Sequence, residues 1–250
     1  MKRVIVTGGN GQLGLALKEV AKGFNLDLVF KDKNELDITD AKAVNKIFFS
    51  DTFDVCINAA AYTDVDGAES NKDLAFAINA TALETLAKVC KQHQCWLIHV
   101  STDYVFDGAL DRPYTPSDVP NPLGVYGSSK LAGERVIQEI DFDYSIVRTS
   151  WLYSKFGENF YTKIKSQIDL GIPLKICSLQ IGAPTRAEDF AKHIITGLVN
   201  DCLLRGVSHY CGKQHMTWFE LAKRLFPNSE IKRDLERNLK IRPLKVVLKN

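Results

Sequence analysis

Tyr126 and Lys130 stand four residues apart in the stretch VYGSSKLAGE, where a Gly/Ser turn (Gly127, Ser128, Ser129) gives way to a helical pattern. Residues four apart share a helix face. A lysine ammonium about 5 Å from a phenol, at an effective dielectric near 20, favours the phenolate by roughly 3 kcal/mol. That would lower a tyrosine pKa from about 10 by around two units. Such a tyrosine could exchange a proton with a carbonyl or alcohol oxygen near neutral pH. The spacing alone is common by chance, and it also fits the first turn of a surface helix. Its setting strengthens the chemical reading. The stretch VSTDYVFDG follows an apolar run and places Thr102 24 residues ahead of Tyr126, which gives an orienting hydroxyl beside a proton donor.

A cofactor site is suggested at the other end of the chain. In VTGGNGQLG, Gly9, Gly11 and Gly14 fit G-x-G-x-x-G, and Gly8, Gly11 and Gly14 equally fit T-G-x-x-G-x-x-G. A strand-like run precedes the loop and a helical pattern follows it. Glycines there permit a tight turn and let backbone amides approach a pyrophosphate at the positive end of the helix. Asp32 lies about 20 residues further on, where an acid can hold the adenosine ribose hydroxyls. That favours NAD, while the flanking Lys31 and Lys33 would tolerate a 2′-phosphate and keep NADP open. A solvated charged turn is the plainer reading of all three.

These residues need elements to position them. Strand-like runs at 3–8, 26–30, 54–58, 95–101, 144–150 and 173–177 alternate with helical patterns at 11–23, 39–49 and 72–93, with Thr39 or Asp40 as a cap. Strands separated by helices of this length predict parallel βαβ units. The expected fold is α/β: a Rossmann-type doubly wound parallel sheet, with residues 1–150 as the dinucleotide-binding domain. Residues 151–250 then give a mixed segment with a small substrate-binding region and further sheet elements, including an amphipathic helix at 217–226 and a basic, irregular tail. From Asp107 to Gly124 the chain carries four of its eight prolines, which disfavour helix and central strand. A long loop after a strand of an open α/β sheet lies over the carboxyl edge, where ligands bind.

Composition narrows the classes. With 32 Lys and Arg against 30 Asp and Glu, the net charge is +2, too small for a large nucleic-acid-binding field. No run has the apolar length of a membrane span, and the N-terminus is too quickly broken by glycine for a signal peptide. Six scattered cysteines without a C-x-x-C pair read as buried reduced thiols, which points to the cytoplasm and away from a zinc site. The five histidines show no metal spacing, and His99, inside an apolar strand, reads as structural. Glu69 and Glu134 read as surface or helix charges, and Tyr104, Phe106 and Phe160 as packing. No metal site is expected.

Together the segments TGGNGQLG, NAAAYTDVDGAES, STDYVFDG, YGSSKLAGE, RTSWLYSKFGENF and GAPTRAEDFA resemble the extended short-chain dehydrogenase/reductases, and among them the dTDP-4-dehydrorhamnose reductases. The resemblance runs in order from residue 1 to about 225. AAAYTDVDGAES with STDYVFDG is far more specific than the glycine loop or Y-x-x-x-K. It implies NAD(P)H-dependent reduction of the 4-keto group of a nucleotide-activated deoxysugar. Tyr126 would protonate the alkoxide. Lys130 would depress the tyrosine pKa and hold the nicotinamide ribose, and Thr102 would hydrogen-bond the ketone oxygen. The family pattern puts Gly11, Gln12 and Leu13 on the pyrophosphate, Asp37 and Ile38 near the adenine, and Ala61, Tyr62 and Thr63 along the cofactor. It puts Thr102, Asp103 and Trp151 beside the sugar, though Trp151 also suits a core and Asp103 a turn cap. Members run some tens of residues beyond a tail such as RPLKVVLKN, so helices that complete the substrate side are expected to be missing. A metal-assisted dimer contact is not supported, and a homodimer stays open. Two other readings remain: a sugar-nucleotide reductase or epimerase of other specificity, and a non-catalytic NAD(P)-binding subunit similar to the beta subunit of methionine adenosyltransferase.

Overall fold

Five of the apolar runs form parallel strands in a computed structural model that describes residues 1–236 and 239–250. They are β1 (Arg3–Thr7), β2 (Asp27–Lys31), β3 (Val55–Asn58), β4 (Trp96–Thr102) and β5 (Tyr144–Thr149). The sixth strand of this sheet is Gly206–His209, which adds in parallel beside β5. From one edge the order is Gly206–His209, β5, β4, β3, β1, β2. The order reverses direction between β1 and β3, as in a doubly wound sheet, and ligands bind such sheets outside the carboxyl ends of the strands.

The helices are α1 (Gln12–Val20), α2 (Ala41–Ser50), α3 (Val65–Ser70), α4 (Lys72–Phe76), α5 (Ala82–Gln92), α6 (Val125–Gln138), α7 (Phe160–Asp169), α8 (Ala187–Val199) and α9 (Trp218–Leu225). They cover both faces of the sheet. Side chains alternate along a strand, so Val4 and Val6 pack under Leu13 and Leu17 of α1 and Phe190 and Ile194 of α8. Ile5 between them faces Val44 and Phe48 of α2 and Leu83 and Leu86 of α5 on the other side. Asp40 caps α2, its Oδ1 accepting from Lys42 N at 2.9 Å and Ala43 N at 3.1 Å. The long helical stretch 72–93 is interrupted by a π-helical turn at Ala77–Thr81.

The C-terminal part differs from the sequence reading in two places. Leu174–Cys177 is a strand, but it pairs with Ile231–Asp234 in a separate two-stranded ladder and not with the main sheet. The sixth main strand instead comes from GVSH, a short half-polar run with weak strand character. The basic tail is also no loose end. Val246, Val247 and Leu248 are buried, and the tail clamps the proline-rich loop through Tyr114 N to Val247 O (2.7 Å) and Lys249 N to Tyr114 O (2.8 Å). Phe106 stacks on Tyr114 beneath this clamp, with ring centroids 4.2 Å apart.

Candidate active site

The parallel register brings the singled-out segments to one edge. Thr7 pairs with Lys31 and with Asn58, Asn58 with His99, and Thr102 with Thr149. The glycine loop, Asp32, the segment 59–63, Thr102–Asp103 and Trp151 therefore all leave the sheet at its carboxyl edge. The loop geometry explains its glycines. Gly8 has φ +68°, and a Cβ there would lie 2.7 Å from Ala60 N. A Cβ on Gly14 would lie 2.5 Å from Gly8 O, so α1 can seat on the loop only without one. Gly11 N closes the turn on Gly8 O at 2.9 Å, which leaves the first amides of α1, at Gln12 and Leu13, at the helix's positive end. This cradle fits a dinucleotide pyrophosphate.

Past β2, Asp32 organises its own loop. Its Oδ1 accepts from Asn34 N (2.8 Å) and Glu35 N (3.0 Å), and its Oδ2 from Asn10 Nδ2 (2.5 Å), which ties it to the glycine loop. Asp37 is held below the usual carboxylate range by the Thr39 hydroxyl and amide. Ile38 is buried beside it. Ala61, Tyr62 and Thr63 follow β3, and Asn79 of the π-helical turn pins the middle residue. Tyr62 N donates to Asn79 Oδ1 (2.9 Å), while Asn79 Nδ2 donates to Tyr62 O (3.0 Å) and to Ser129 Oγ (3.0 Å) on α6.

Thr102, Tyr126 and Lys130 come together between β4 and the start of α6. The Thr102 hydroxyl stands beside the Tyr126 phenol and favours its ionised form. It also donates to Asp103 Oδ1 at 3.2 Å and accepts from Tyr104 N at 3.2 Å. Tyr104 packs edge-on to Tyr126, centroids 5.6 Å apart. Asp103 is buried, which pushes its carboxyl up to about 7. Lys130 Nζ donates to Val100 O at 2.7 Å and lies 3.3 Å from His99 Nε2.

One expectation is corrected here. Lys130 does not make Tyr126 acidic in this arrangement. Burial, followed by the nearby Asp103 and Tyr104, raises the phenol above its ordinary value despite the opposing pull of the Thr102 hydroxyl. The ammonium is engaged by β4, and burial brings Lys130 itself down to about 8. The site thus holds a protonated phenol across the neutral range, a state suited to donating a proton.

The family model described as RmlD substrate binding domain matches residues 1–246. The dTDP-4-dehydrorhamnose reductase of Sinorhizobium fredii (strain NBRC 101917 / NGR234) is 36% identical over 230 residues, 90% of this chain and 77% of that one. The chain belongs to the dTDP-4-dehydrorhamnose reductase family. The reductase of Mycobacterium tuberculosis (strain ATCC 25618 / H37Rv) is 38% identical over 231 residues, 90% of this chain and 75% of its own. The crystal structure of the Bacillus anthracis reductase in complex with NADP superimposes with a TM-score of 0.90 at 34% identity, covering 100% of this chain and 90% of that one.

Within this reductase family framework, several residues differ from their sequence reading. Glu134 is not a surface charge. It is fully buried one turn beyond Lys130, paired with Arg148 of β5 at 2.6 Å and accepting from Ser101 Oγ at 2.5 Å. Glu69 caps α6, accepting from Val125 N at 2.7 Å, and so fixes the turn that carries Tyr126. His99 is buried as expected, but its ring faces Lys130. Trp151 has a left-handed backbone (φ +45°), and its indole stacks on Trp218 with centroids 3.7 Å apart. Arg242, from the tail, reaches Tyr104 Oη at 3.1 Å and Asp66 at 2.7 Å. Nothing local in the sequence marks Asn79 or Arg242, because each acts on a segment distant in the chain. A signal for Glu134 was present: it sits four residues after Lys130, on the helix face that meets the sheet.

Among the described residues, no helix is long and apolar enough to cross a membrane, and no group of three or more His, Cys, Asp or Glu could hold a metal ion.

Proposed function

We propose that the protein reduces the 4-keto group of a nucleotide-activated deoxysugar, dTDP-4-dehydro-L-rhamnose to dTDP-L-rhamnose, with NADPH as donor. The observation that carries this reading is the convergence of three side chains at the carboxyl edge of the sheet: Thr102 at the end of β4, bonded to the Tyr104 that packs on Tyr126, and Lys130 one turn along α6 and bonded back to β4. NADPH supplies a hydride to the carbonyl carbon. The chain's own residues handle the oxygen. Thr102 and Tyr126 meet the developing alkoxide with two hydroxyls already in place, which favours the transition state over the ketone. Tyr126 then delivers its proton to that oxygen. Lys130 has three donors, of which Val100 O and His99 engage two, so the third can serve a ribose hydroxyl. Gly8, Gly11, Gln12, Leu13 and Gly14 cradle the pyrophosphate. Lys31 and Lys33 flank an Asp32 whose oxygens already serve its own loop, an arrangement compatible with a 2′-phosphate. Asp37 and Ile38 lie toward the adenine, and Ala61, Tyr62 and Thr63 along the cofactor. Thr102, Asp103 and Trp151 face the sugar, and residues 151–250 supply most of the substrate side. The enzyme works in the cytoplasm, supplying deoxysugar for surface polysaccharide.

The test is purified protein with NADPH and dTDP-4-dehydro-L-rhamnose. Net oxidation of NADPH with formation of dTDP-L-rhamnose supports the reading. Sugar conversion without net oxidation would make the protein an epimerase. Tight NADPH binding without turnover on any dTDP-, GDP- or CDP-linked 4-keto sugar would make it a binding subunit.

A further inference from the structure

A row of buried polar side chains crosses the sheet and ends at Lys130. Thr7, Asn58 and His99 are register neighbours on β1, β3 and β4, and so share one face. All three are at most 1% exposed, and Lys130 is 2% exposed. As placed, Thr7 Oγ1 donates to Asn58 Oδ1 at 2.5 Å, Asn58 Nδ2 lies 3.0 Å from His99 Nδ1, and His99 Nε2 lies 3.3 Å from Lys130 Nζ. No water-facing group interrupts the row.

With Lys130 in its charged form, the hydrogen count selects one arrangement. An ammonium only donates, and a neutral imidazole carries one N–H and one lone pair. If Nε2 bore the proton, two donors would face each other across 3.3 Å in a dry interior. Nε2 must therefore present its lone pair to Lys130, which puts the proton on Nδ1. Asn58 then turns its carbonyl oxygen to Nδ1–H and its NH₂ to the Thr7 hydroxyl. The amide can do this in place, because its two ends occupy the same volume. A cationic His99 would set its Nε2–H against the Lys130 ammonium, and burial and Lys130 both hold the ring neutral, well below its usual range. The other charged or titratable groups near Lys130 do not replace His99. Glu134, one turn along α6, is bound to Arg148 and Ser101. Asp103 and Tyr104 lie against Tyr126, a turn earlier. From the π-helical turn packed on α6, the polar group is Asn79, bound to Ser129.

We propose that His99, as the Nδ1–H tautomer held by Asn58 and Thr7, is the positioning residue of Lys130, fixing its ammonium for the cofactor ribose. The role in cofactor binding rests on the reductase reading. The tautomer and the contact with Lys130 do not.

The experiment follows Lys130 and His99 by NMR in the full, cofactor-free chain, so a failed reductase assay leaves it intact. In the wild type the His99 nitrogens should show a pyrrole-like Nδ1 and a pyridine-like Nε2. The reverse pattern overturns the proposal, and this arm needs no variant that folds. The ¹³Cε resonance of Lys130 should titrate at a midpoint about one pH unit lower in His99→Leu, because the charged form loses an acceptor. His99→Gln, whose amide oxygen can accept, should restore most of it. NADPH affinity at pH 7 should fall about tenfold in the Leu variant and stay within threefold in the Gln variant. A midpoint that stays or rises in His99→Leu contradicts the proposal, as does a Gln variant no better than Leu.

Discussion

Removing Glu134 should cost the protein more than removing any surface charge. Its carboxylate is fully buried and accepts from Arg148 Nε at 2.9 Å, Arg148 Nη2 at 2.6 Å and Ser101 Oγ at 2.5 Å. Arg148 is 3% exposed, and its remaining terminal nitrogen, Nη1, has no hydrogen-bond partner, so a guanidinium without Glu134 has nowhere to turn. Its face lies over Phe106, 5.1 Å from the ring centroid, which offers little beside a lost carboxylate. Leaving one member of such a pair charged and alone costs about 3–5 kcal/mol. For a chain of this size, each kcal/mol moves the melting midpoint by roughly 2–4 °C. Glu134→Ala should therefore melt about 6–20 °C lower, measured by circular dichroism and checked by urea titration. The same logic makes Glu134→Leu with Arg148→Met far milder than either single change, because no charge is then stranded. A Glu134→Ala protein within about 1 kcal/mol of wild type would show that water reaches the pair, and would refute the account of how α6 is anchored beneath Tyr126 and Lys130.

The site makes further predictions. Tyr126→Phe should keep NADPH affinity within about threefold while turnover falls by roughly 10² to 10⁴, read by equilibrium titration and steady-state rates. Preserved turnover would remove the phenol as proton donor. Gly14→Ala puts a carbon 2.5 Å from Gly8 O. It should lower stability by about 1–3 kcal/mol and abolish measurable NADPH binding, and unchanged binding would contradict the close seat of α1. Asp103, raised to about 7 by burial, binds a proton in the folded state that the unfolded chain has already released above its ordinary value near 3.8. Its contribution is full below about pH 4 and lost as pH rises through 7. Asp103→Asn should thus stabilise the protein by up to about 4 kcal/mol at pH 8 and hardly at pH 4, measured by denaturation at both values. Lys130, lowered to about 8, is protonated in the unfolded chain but not the folded one between pH 8 and its ordinary value near 10.5. Stability should therefore rise with pH across that window, while NADPH affinity falls as the ammonium discharges above 8. An affinity flat to pH 10 would argue against the charge.

Much of the architecture could be read from the chain because local signals and global fold agree. The runs RVIVT and DVCIN are β-branched and bounded by turn residues, and the helices between them repeat apolar positions at helical spacing, so period and punctuation point the same way. The glycine loop was legible because glycine is the residue type a left-handed turn and a close helix seat require. Gly206–His209 was not, since GVSH carries its burial on a serine and a histidine that pack beside β5 and not on apolar residues. The tail read as irregular because its role is to pair with Tyr114, a contact of about 130 residues' separation that no local pattern encodes. At the candidate site, types and spacing singled out Thr102, Tyr126 and Lys130, which the fold brings together, but not the sign of the tyrosine's shift. That sign depends on where the lysine points and how far the surrounding protein desolvates the phenol. Spacing supplies neither: the ammonium turns to Val100 O and His99, and burial decides the rest.

The most direct test of the central claim is the fate of the hydride. Stereospecifically deuterated NADPH, incubated with the protein and dTDP-4-dehydro-L-rhamnose, should leave deuterium on C4 of the sugar, one atom for each cofactor oxidised. Tyr126→Phe should bring that transfer to near zero without releasing the cofactor. Product without deuterium at C4, or deuterium transfer that continues unchanged in the Phe variant, would contradict a reduction completed by the Tyr126 proton.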